Sequence, residues 1–78
     1  MTYDYELPVW GSLARMNRDA MKYCNDIIRI EKNYLSIGTV NIICKSNYNI
    51  KKINDFINNY LPIELDYEIK EEYSLVVL

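Results

Sequence analysis

The segment from residue 39 to residue 70 reads TVNIICKSNYNIKKINDFINNYLPIELDYEIK, and its apolar residues change their period twice. Val40, Ile42 and Cys44 alternate with their neighbours, which is the pattern of a strand. The middle of the segment places apolar residues three or four positions apart, as on one face of a helix, and residues 63–70 alternate again. This order predicts a β-α-β unit whose connection is long enough for a right-handed parallel crossover.

The helix of this unit is predicted to occupy residues 49–61. Residues 46–49 are Ser-Asn-Tyr-Asn, which is typical of a turn, and either Asn47 or Asn49 can cap the helix. Pro62 ends it, because proline has no amide hydrogen to donate and cannot continue a helix. The apolar face of this helix consists of Ile50, Ile53, Phe56, Ile57, Tyr60 and Leu61.

A longer helix is predicted upstream, from residue 13 to about residue 32, with Ser12 as its N-cap. This segment contains neither glycine nor proline, so neither of the strongest helix breakers interrupts it. Its apolar residues are spaced by three or four positions, as one helical face requires. They are Leu13, Met16, Ala20, Cys24, Ile27 and Ile28.

The apolar pattern changes phase at Gly38, between the long helix and the β-α-β unit. Leu35 and Ile37 have one parity, whereas Val40 and Ile42 have the other. A β-bulge at Gly38 reconciles the two halves, because the extra residue restores the same facing and glycine tolerates the required dihedral angles. The alternative is a tight hairpin at Gly38 and Thr39 with a short first strand.

Both ends of the chain are predicted to be extended and to contact a partner. Residues 1–11 are predicted to form an extended arm. Residues 2–9 of it alternate like a strand, which Pro8 confines to a sheet edge or to a docking terminus. After Glu71 and Glu72, residues 73–78 read YSLVVL and predict a terminal strand that either this domain or another subunit must cover. The residues predicted to contact a partner are Tyr3, Tyr5, Leu7, Val9, Trp10, Leu75 and Val77.

These elements predict one α+β domain over residues 12–78, with two helices packed on one face of a small sheet that contains the β-α-β unit. If residues 34–37 pair as a separate strand, the alternative is a ferredoxin-like βαββαβ order. The predicted core consists of Leu13, Met16, Ala20, Cys24, Ile27, Val40, Ile42, Ile53, Phe56, Ile57, Leu65 and Ile69.

The composition argues against most small-enzyme chemistry. The chain has no histidine, which excludes Ser-His and Cys-His nucleophiles and every metal site that needs a histidine ligand. Two isolated glycines do not make a phosphate-binding loop. Cys24 and Cys44 lie among apolar residues and are expected to be buried free thiols. We therefore expect no enzyme activity, no cofactor and no bound metal.

The charge and aromatic content favour protein partners. Nine basic and eleven acidic residues leave a net charge of −2, which disfavours nucleic acid and anionic membranes. Eight tyrosines and Trp10 are a high aromatic load, and such residues are enriched in interfaces. A homo-oligomer is expected, with a dimer favoured. Glu64, Asp66 and Glu68 predict an acidic strand face that is solvated or meets a basic partner.

The N-terminus has acids where a secretory signal needs bases, and no run of residues is apolar enough for a membrane span, so a cytoplasmic protein is expected. Ile, Asn, Lys and Tyr together supply 34 of the 78 residues. Because the codons of these four amino acids are rich in A and T, an AT-rich source genome is expected, such as a low-GC bacterium or its phage.

From Gly38 onward, GTVNIICKSNYNIKKINDFINNYLPIELDYEIKEEY resembles the C-terminal module of baseplate wedge proteins from phage contractile tails of the Mu and PBSX kind. The resemblance covers residues 38–73 and rests on a strand, a helix that ends at Pro62 and a second alternating strand. Ile63 and Glu64 replace the alanine and histidine that follow the proline in that family.

The resemblance implies a phage-derived structural protein located in the virion, with no catalytic residues to carry over. The first function expected is therefore non-enzymatic assembly through protein contacts. The alternative is a small phage or bacterial binding module or inhibitor, which would present the acidic strand face to a basic host protein.

Overall fold

The computed structural model describes residues 7–72, with side chains from residue 13 onward. In chain order the elements are α1 (Leu7–Tyr23), β1 (Ile27–Lys32), β2 (Thr39–Cys44), α2 (Ile50–Tyr60) and β3 (Asp66–Glu71). The three strands form one sheet in the order β1-β2-β3. β1 is antiparallel to β2, and β2 is parallel to β3. The predicted α+β class and its β-α-β unit are confirmed.

The first helix both begins and ends earlier than predicted. It begins at Leu7, so an extended arm reaching residue 11 is wrong for residues 7–11. Pro8 is accommodated because the first four amides of a helix have no partner within it. The helix ends at Tyr23, where an Asn25-Asp26 turn follows, so a helix reaching residue 32 is also wrong.

Residues 27–32 form strand β1 in place of the predicted last turns of the helix. Isoleucine is β-branched and fits a pleated sheet better than a helix interior, and three of these six residues are isoleucines. The strand buries Ile27 and Ile30 and leaves Ile28 46% exposed. Its register with β2 shifts between Ile27 and Arg29, so a bulge occurs here and not at Gly38.

A loop of residues 33–38 connects β1 to β2, and residues 34–37 are not a strand. Gly38 is the last loop residue, with φ of 84°, so it supplies a positive dihedral as expected but in a turn. Both a bulge and a tight hairpin at Gly38 and Thr39 are therefore wrong. The ferredoxin-like alternative does not fit either, because β2 and β3 are direct neighbours, whereas a split β-α-β unit places a strand between them.

Helix α2 and the core follow the prediction closely. The Asn49 side chain caps α2 by accepting the Lys51 amide at 2.9 Å, and the helix ends before Pro62. Both helices contribute to one core cluster on one face of the sheet. Nine of the twelve predicted core residues belong to it, and the other three, Leu13, Leu65 and Ile69, are partly buried and pack against it. The cluster also contains Ile30, Cys44 and Leu61.

The two edges of the sheet differ. At the outer edge of β1, the Asn17 side chain of α1 accepts the Ile30 amide at 2.8 Å and donates to the Ile30 carbonyl at 2.9 Å. This amide group takes the place of a neighbouring strand at the middle of β1. Among residues 7–72, β3 has a neighbouring strand on one side only, so it is an edge strand of the described sheet.

Candidate protein interaction surface

Four large apolar side chains project from one end of the sheet almost fully exposed. Tyr34 is 85%, Leu35 97%, Ile37 96% and Ile63 98% exposed. The first three lie in the β1–β2 loop, and Ile63 lies in the turn between α2 and β3. The two segments are adjacent because the Asp66 amide donates to the Gly38 carbonyl at 3.1 Å. We call these four residues the apolar tip.

The loop that carries most of the apolar tip is held by its own polar groups. The Asn33 carboxamide accepts the Leu35 amide at 2.9 Å and donates to Asn41 of β2 at 3.0 Å. Ser36 and Thr39 share a hydroxyl hydrogen bond of 3.0 Å, and the Thr39 amide donates to the Ser36 carbonyl. Because these bonds fix the loop in advance, a partner that binds there meets a preorganised surface.

The turn before β3 directs its apolar residues to opposite sides. The Leu65 amide donates to the Pro62 carbonyl at 3.2 Å, which closes the turn. Leu65 packs against the core, whereas Ile63, two residues earlier, points into solvent. The turn therefore adds an isoleucine to the apolar tip.

Charged groups border the apolar tip. The Lys32 ammonium lies 4.9 Å from the centre of the Tyr34 ring, a cation–π distance. Glu64 follows Ile63 directly, and Asp66 begins β3 beside the loop. Scattered exposed apolar residues are normal, but a cluster rimmed by polar groups marks an interaction site. Here the two segments that carry the four exposed residues are joined at Gly38 and Asp66, with Lys32, Glu64 and Asp66 as the charged neighbours.

The sheet face opposite the helices is charged, but with both signs. Asp66 and Glu68 lie on it as predicted, whereas Glu64 lies in the turn before β3, so its placement on the strand face is wrong. Lys70 lies 3.6 Å from Glu68. Arg29 of β1 pairs with Glu31 and, at 2.8 Å, with Glu72. The acids of this face are therefore interleaved with bases.

The partner contacts predicted at the two chain ends stay predictions. Tyr3, Tyr5, Leu75 and Val77 lie outside the described residues. Leu7, Val9 and Trp10 lie in the first turns of α1, where the structure describes the backbone but not the side chains.

A shallow cleft of about 350 Å³ lies between the end of α1 and α2. Tyr23 and Tyr60 stack there with their ring centres 4.8 Å apart, and Cys24 and Lys52 also line it.

Cys24 and Cys44 are both free and buried, as predicted. Burial raises the pKa of the Cys44 thiol to about 11, so this group stays protonated at neutral pH.

Within the described part of the chain, no three metal-ligating side chains come together. No helix among the described residues combines the length and apolar character needed to cross a bilayer. No family model matches the chain, and neither does any curated protein or solved structure.

The apolar tip was missed in the sequence because Leu35 and Ile37 alternate like strand residues. Two signals in the sequence point to it. Asn33, Ser36 and Gly38 are turn formers placed around the apolar residues, and the parity changes at Gly38. A change of parity with turn formers on both sides indicates a loop that exposes its apolar residues.

Proposed function

We propose that this protein is a non-enzymatic assembly protein that binds a partner protein through the apolar tip. One observation carries the proposal: Tyr34, Leu35, Ile37 and Ile63 are 85–98% exposed at one end of the sheet. Leaving such side chains in water forfeits roughly 1.5–3 kcal/mol each relative to burying them, so covering them with an apolar partner surface is favourable.

The charges beside the tip favour a protein partner over a lipid surface. Glu64 and Asp66 lie next to it, and acids at this position repel anionic headgroups. Lys32 lies against Tyr34 on the loop side, so the rim carries both signs. A mixed polar rim around an apolar centre is the usual composition of a protein interface.

The resemblance to phage baseplate wedge modules supports the same class of function. The unit formed by β2, α2 and β3 has the order of elements on which the resemblance rests, with Pro62 just after the helix. We therefore propose a phage-derived structural role, in which the tip contacts a neighbouring component of a larger assembly. A homo-oligomer and a location in the virion belong to this proposal.

An inhibitor that presents an acidic face to a basic protein is the less favoured candidate. Such an inhibitor needs a continuous negative surface, since charge complementarity steers its encounter with a basic cleft. Here Lys70 lies beside Glu68, and Arg29 already binds Glu31 and Glu72. These internal ion pairs reduce the net negative charge that the face presents to a basic partner.

Site-specific photo-crosslinking tests the proposal. A benzoylphenylalanine is placed at Leu35, at Ile63 or, as the control, at Asn58 on the exposed side of α2. The proteins are irradiated in the cells that naturally make them. We expect one protein adduct of discrete mass from both tip positions and none from Asn58.

The partner identified by mass spectrometry is then purified and titrated. Leu35→Ser and Ile37→Ser should each raise Kd at least about tenfold, as for central interface residues, while Asn58→Ser leaves Kd unchanged. Tip positions that give no protein adduct, transfer of the label to lipid, or equal Kd values for all variants would overturn the proposal.

A further inference from the structure

The backbone of β3 has a defined inner and outer side. The Asp66 amide donates to Gly38 at 3.1 Å, and the Glu72 amide donates to Cys44 at 2.8 Å. Because amides alternate sides along a strand, the even-numbered residues of β3 bond to β2. Tyr67, Ile69 and Glu71 therefore direct their N–H and C=O groups to the outer edge.

We infer that this outer edge of β3 binds the β3 edge of a second copy of the chain, antiparallel and about a two-fold axis at Ile69. The pairing joins two three-stranded sheets into one continuous sheet. It places Ile69 opposite Ile69 and Tyr67 opposite Glu71, with about six new backbone hydrogen bonds. Strand addition of this kind obtains its affinity from the main chain and its specificity from the side chains.

The charge sequence of β3 selects this register. With the axis at Ile69, Glu68 of each copy lies opposite Lys70 of the other, so two pairs of opposite charge form. With the axis at Tyr67, Asp66 comes opposite Glu68. With the axis at Glu68, Lys70 or Glu71, that residue meets its own copy, and like charges directly opposite are destabilising.

Neighbouring groups fit the chosen register. Asp66 comes opposite Glu72, but Glu72 is already bound by Arg29 of its own chain at 2.8 Å, which offsets its charge. On the helix side, Ile69 is partly buried against the core and Tyr67 is 43% exposed, so a second copy covers apolar surface at the margin of the core. The β1 edge does not compete at its centre, because Asn17 occupies both edge groups of Ile30.

The outer edge of β3 is separate from the apolar tip on which the proposed function depends. Substitutions at the tip therefore leave this edge untouched, so failure of partner binding at the tip leaves the dimer inference standing. A monomeric chain would remove the homo-oligomer from the proposed function and leave partner binding at the tip unaffected.

Charge-swapped chains test the register. Glu68→Lys places a second lysine opposite Lys70 of the other copy, and Lys70→Glu places two acids opposite each other. Each variant alone should therefore dimerise at least about tenfold more weakly than the wild type. Both side chains are about half exposed, so the fold tolerates the exchange. Mixed together, the two variants should form a heterodimer with wild-type affinity, and the double variant E68K/K70E should recover self-association.

Sedimentation equilibrium and native mass spectrometry of the full chain measure these species, and circular dichroism checks the fold. Glu71→Pro adds a test of the backbone, because it removes an outward N–H that β2 does not use; we expect a folded monomer. A monomeric wild type at all concentrations, single variants that dimerise as well as the wild type, or a Glu71→Pro chain that still dimerises would overturn the inference.

Discussion

The Asp26 carboxylate accepts the backbone amide of Asn49 at 2.8 Å. This bond joins the turn before β1 to the N-cap of α2, which lies 23 residues further along the chain. Lys45 at the end of β2 reaches the same carboxylate at 3.2 Å, and its amide donates to the Asp26 carbonyl at 3.0 Å. One buried aspartate thus ties three elements together at one end of the sheet.

This arrangement predicts acid sensitivity. The bond from Asn49, followed by the bond and charge of Lys45, lowers the pKa of Asp26 below its ordinary 3.8, although burial acts in the opposite direction. A carboxyl with a lowered folded-state pKa stabilises the fold above its unfolded-state pKa, and this contribution is lost as the pH falls through the folded-state pKa.

We therefore expect Asp26→Asn to lower the melting temperature at pH 7 and to flatten its decline below pH 4, roughly where carboxyl groups titrate. Thermal denaturation between neutral and acidic pH measures both effects, with Asp55→Asn on the exposed side of α2 as the control. If the melting temperatures of Asp26→Asn and the wild type declined in parallel with falling pH, this carboxylate would not be the cause of the lost stability in acid.

Phe56 is the aromatic residue of the core. It is 3% exposed and stacks on Tyr60 with ring centres 5.0 Å apart. Phe56→Ala removes this packing and leaves a cavity, which should reduce the free energy of unfolding by about 3–5 kcal/mol. Urea denaturation measures the loss, with Asn58→Ala as the surface control on the same helix. A nearly unchanged midpoint for Phe56→Ala would contradict this account of the core.

At Gly38 the energetic cost of backbone strain can be measured without a contribution from steric clash. Its φ is +84°, and a Cβ added there meets no atom within 4 Å. Gly38→Ala should therefore cost about 1–2 kcal/mol through the left-handed conformation alone. Gly38→Asn should cost less, because asparagine tolerates positive φ better than other residues do. If both substitutions had equal midpoints in urea, the dihedral angle would not be the cause of the loss.

The rate at which the Cys44 thiol is labelled measures how often the core opens. Its side chain has 0% exposure, and the rise in its pKa from 9.0 to about 11 lowers the thiolate fraction at pH 8 about 100-fold. In a Cys24→Ala chain, a disulfide reagent should label Cys44 at least that much more slowly in the native state than in guanidinium. Native labelling within a few-fold of the denatured rate would mean that the thiol is accessible.

The second half of the chain was predictable because its local signals agree with its packing. Asn49, Pro62 and the spacing of Ile53, Phe56 and Ile57 all indicate one helix, and the structure places it at Ile50–Tyr60. The parallel pairing of β2 and β3 follows from the length of that connection.

The first half of the chain was harder to predict because the helical and strand periods of its apolar residues overlap. Ile27 follows Cys24 by three positions, so it continues the helical face, yet it is also a buried residue of β1. The turn at Asn25 and Asp26 is stabilised by the bonds from Asn49 and Lys45 to Asp26. Because Asn49 and Lys45 are distant in sequence, the local pattern gives no sign of this turn. Tertiary hydrogen bonds thus overrode a continuous helical pattern.

Asn17 has a consequence for growth of the sheet. A protein whose sheet is open at both edges is able to add copies without end, and stacked sheets of this kind become fibrils. Here the helix-borne amide of Asn17 occupies the centre of the β1 edge, bonding to both backbone groups of Ile30. Among residues 7–72, association through β3 therefore uses one edge of the sheet, while Asn17 keeps the centre of the other edge from pairing. A helix side chain at the centre of the β1 edge thus opposes continued growth of the described sheet in that direction.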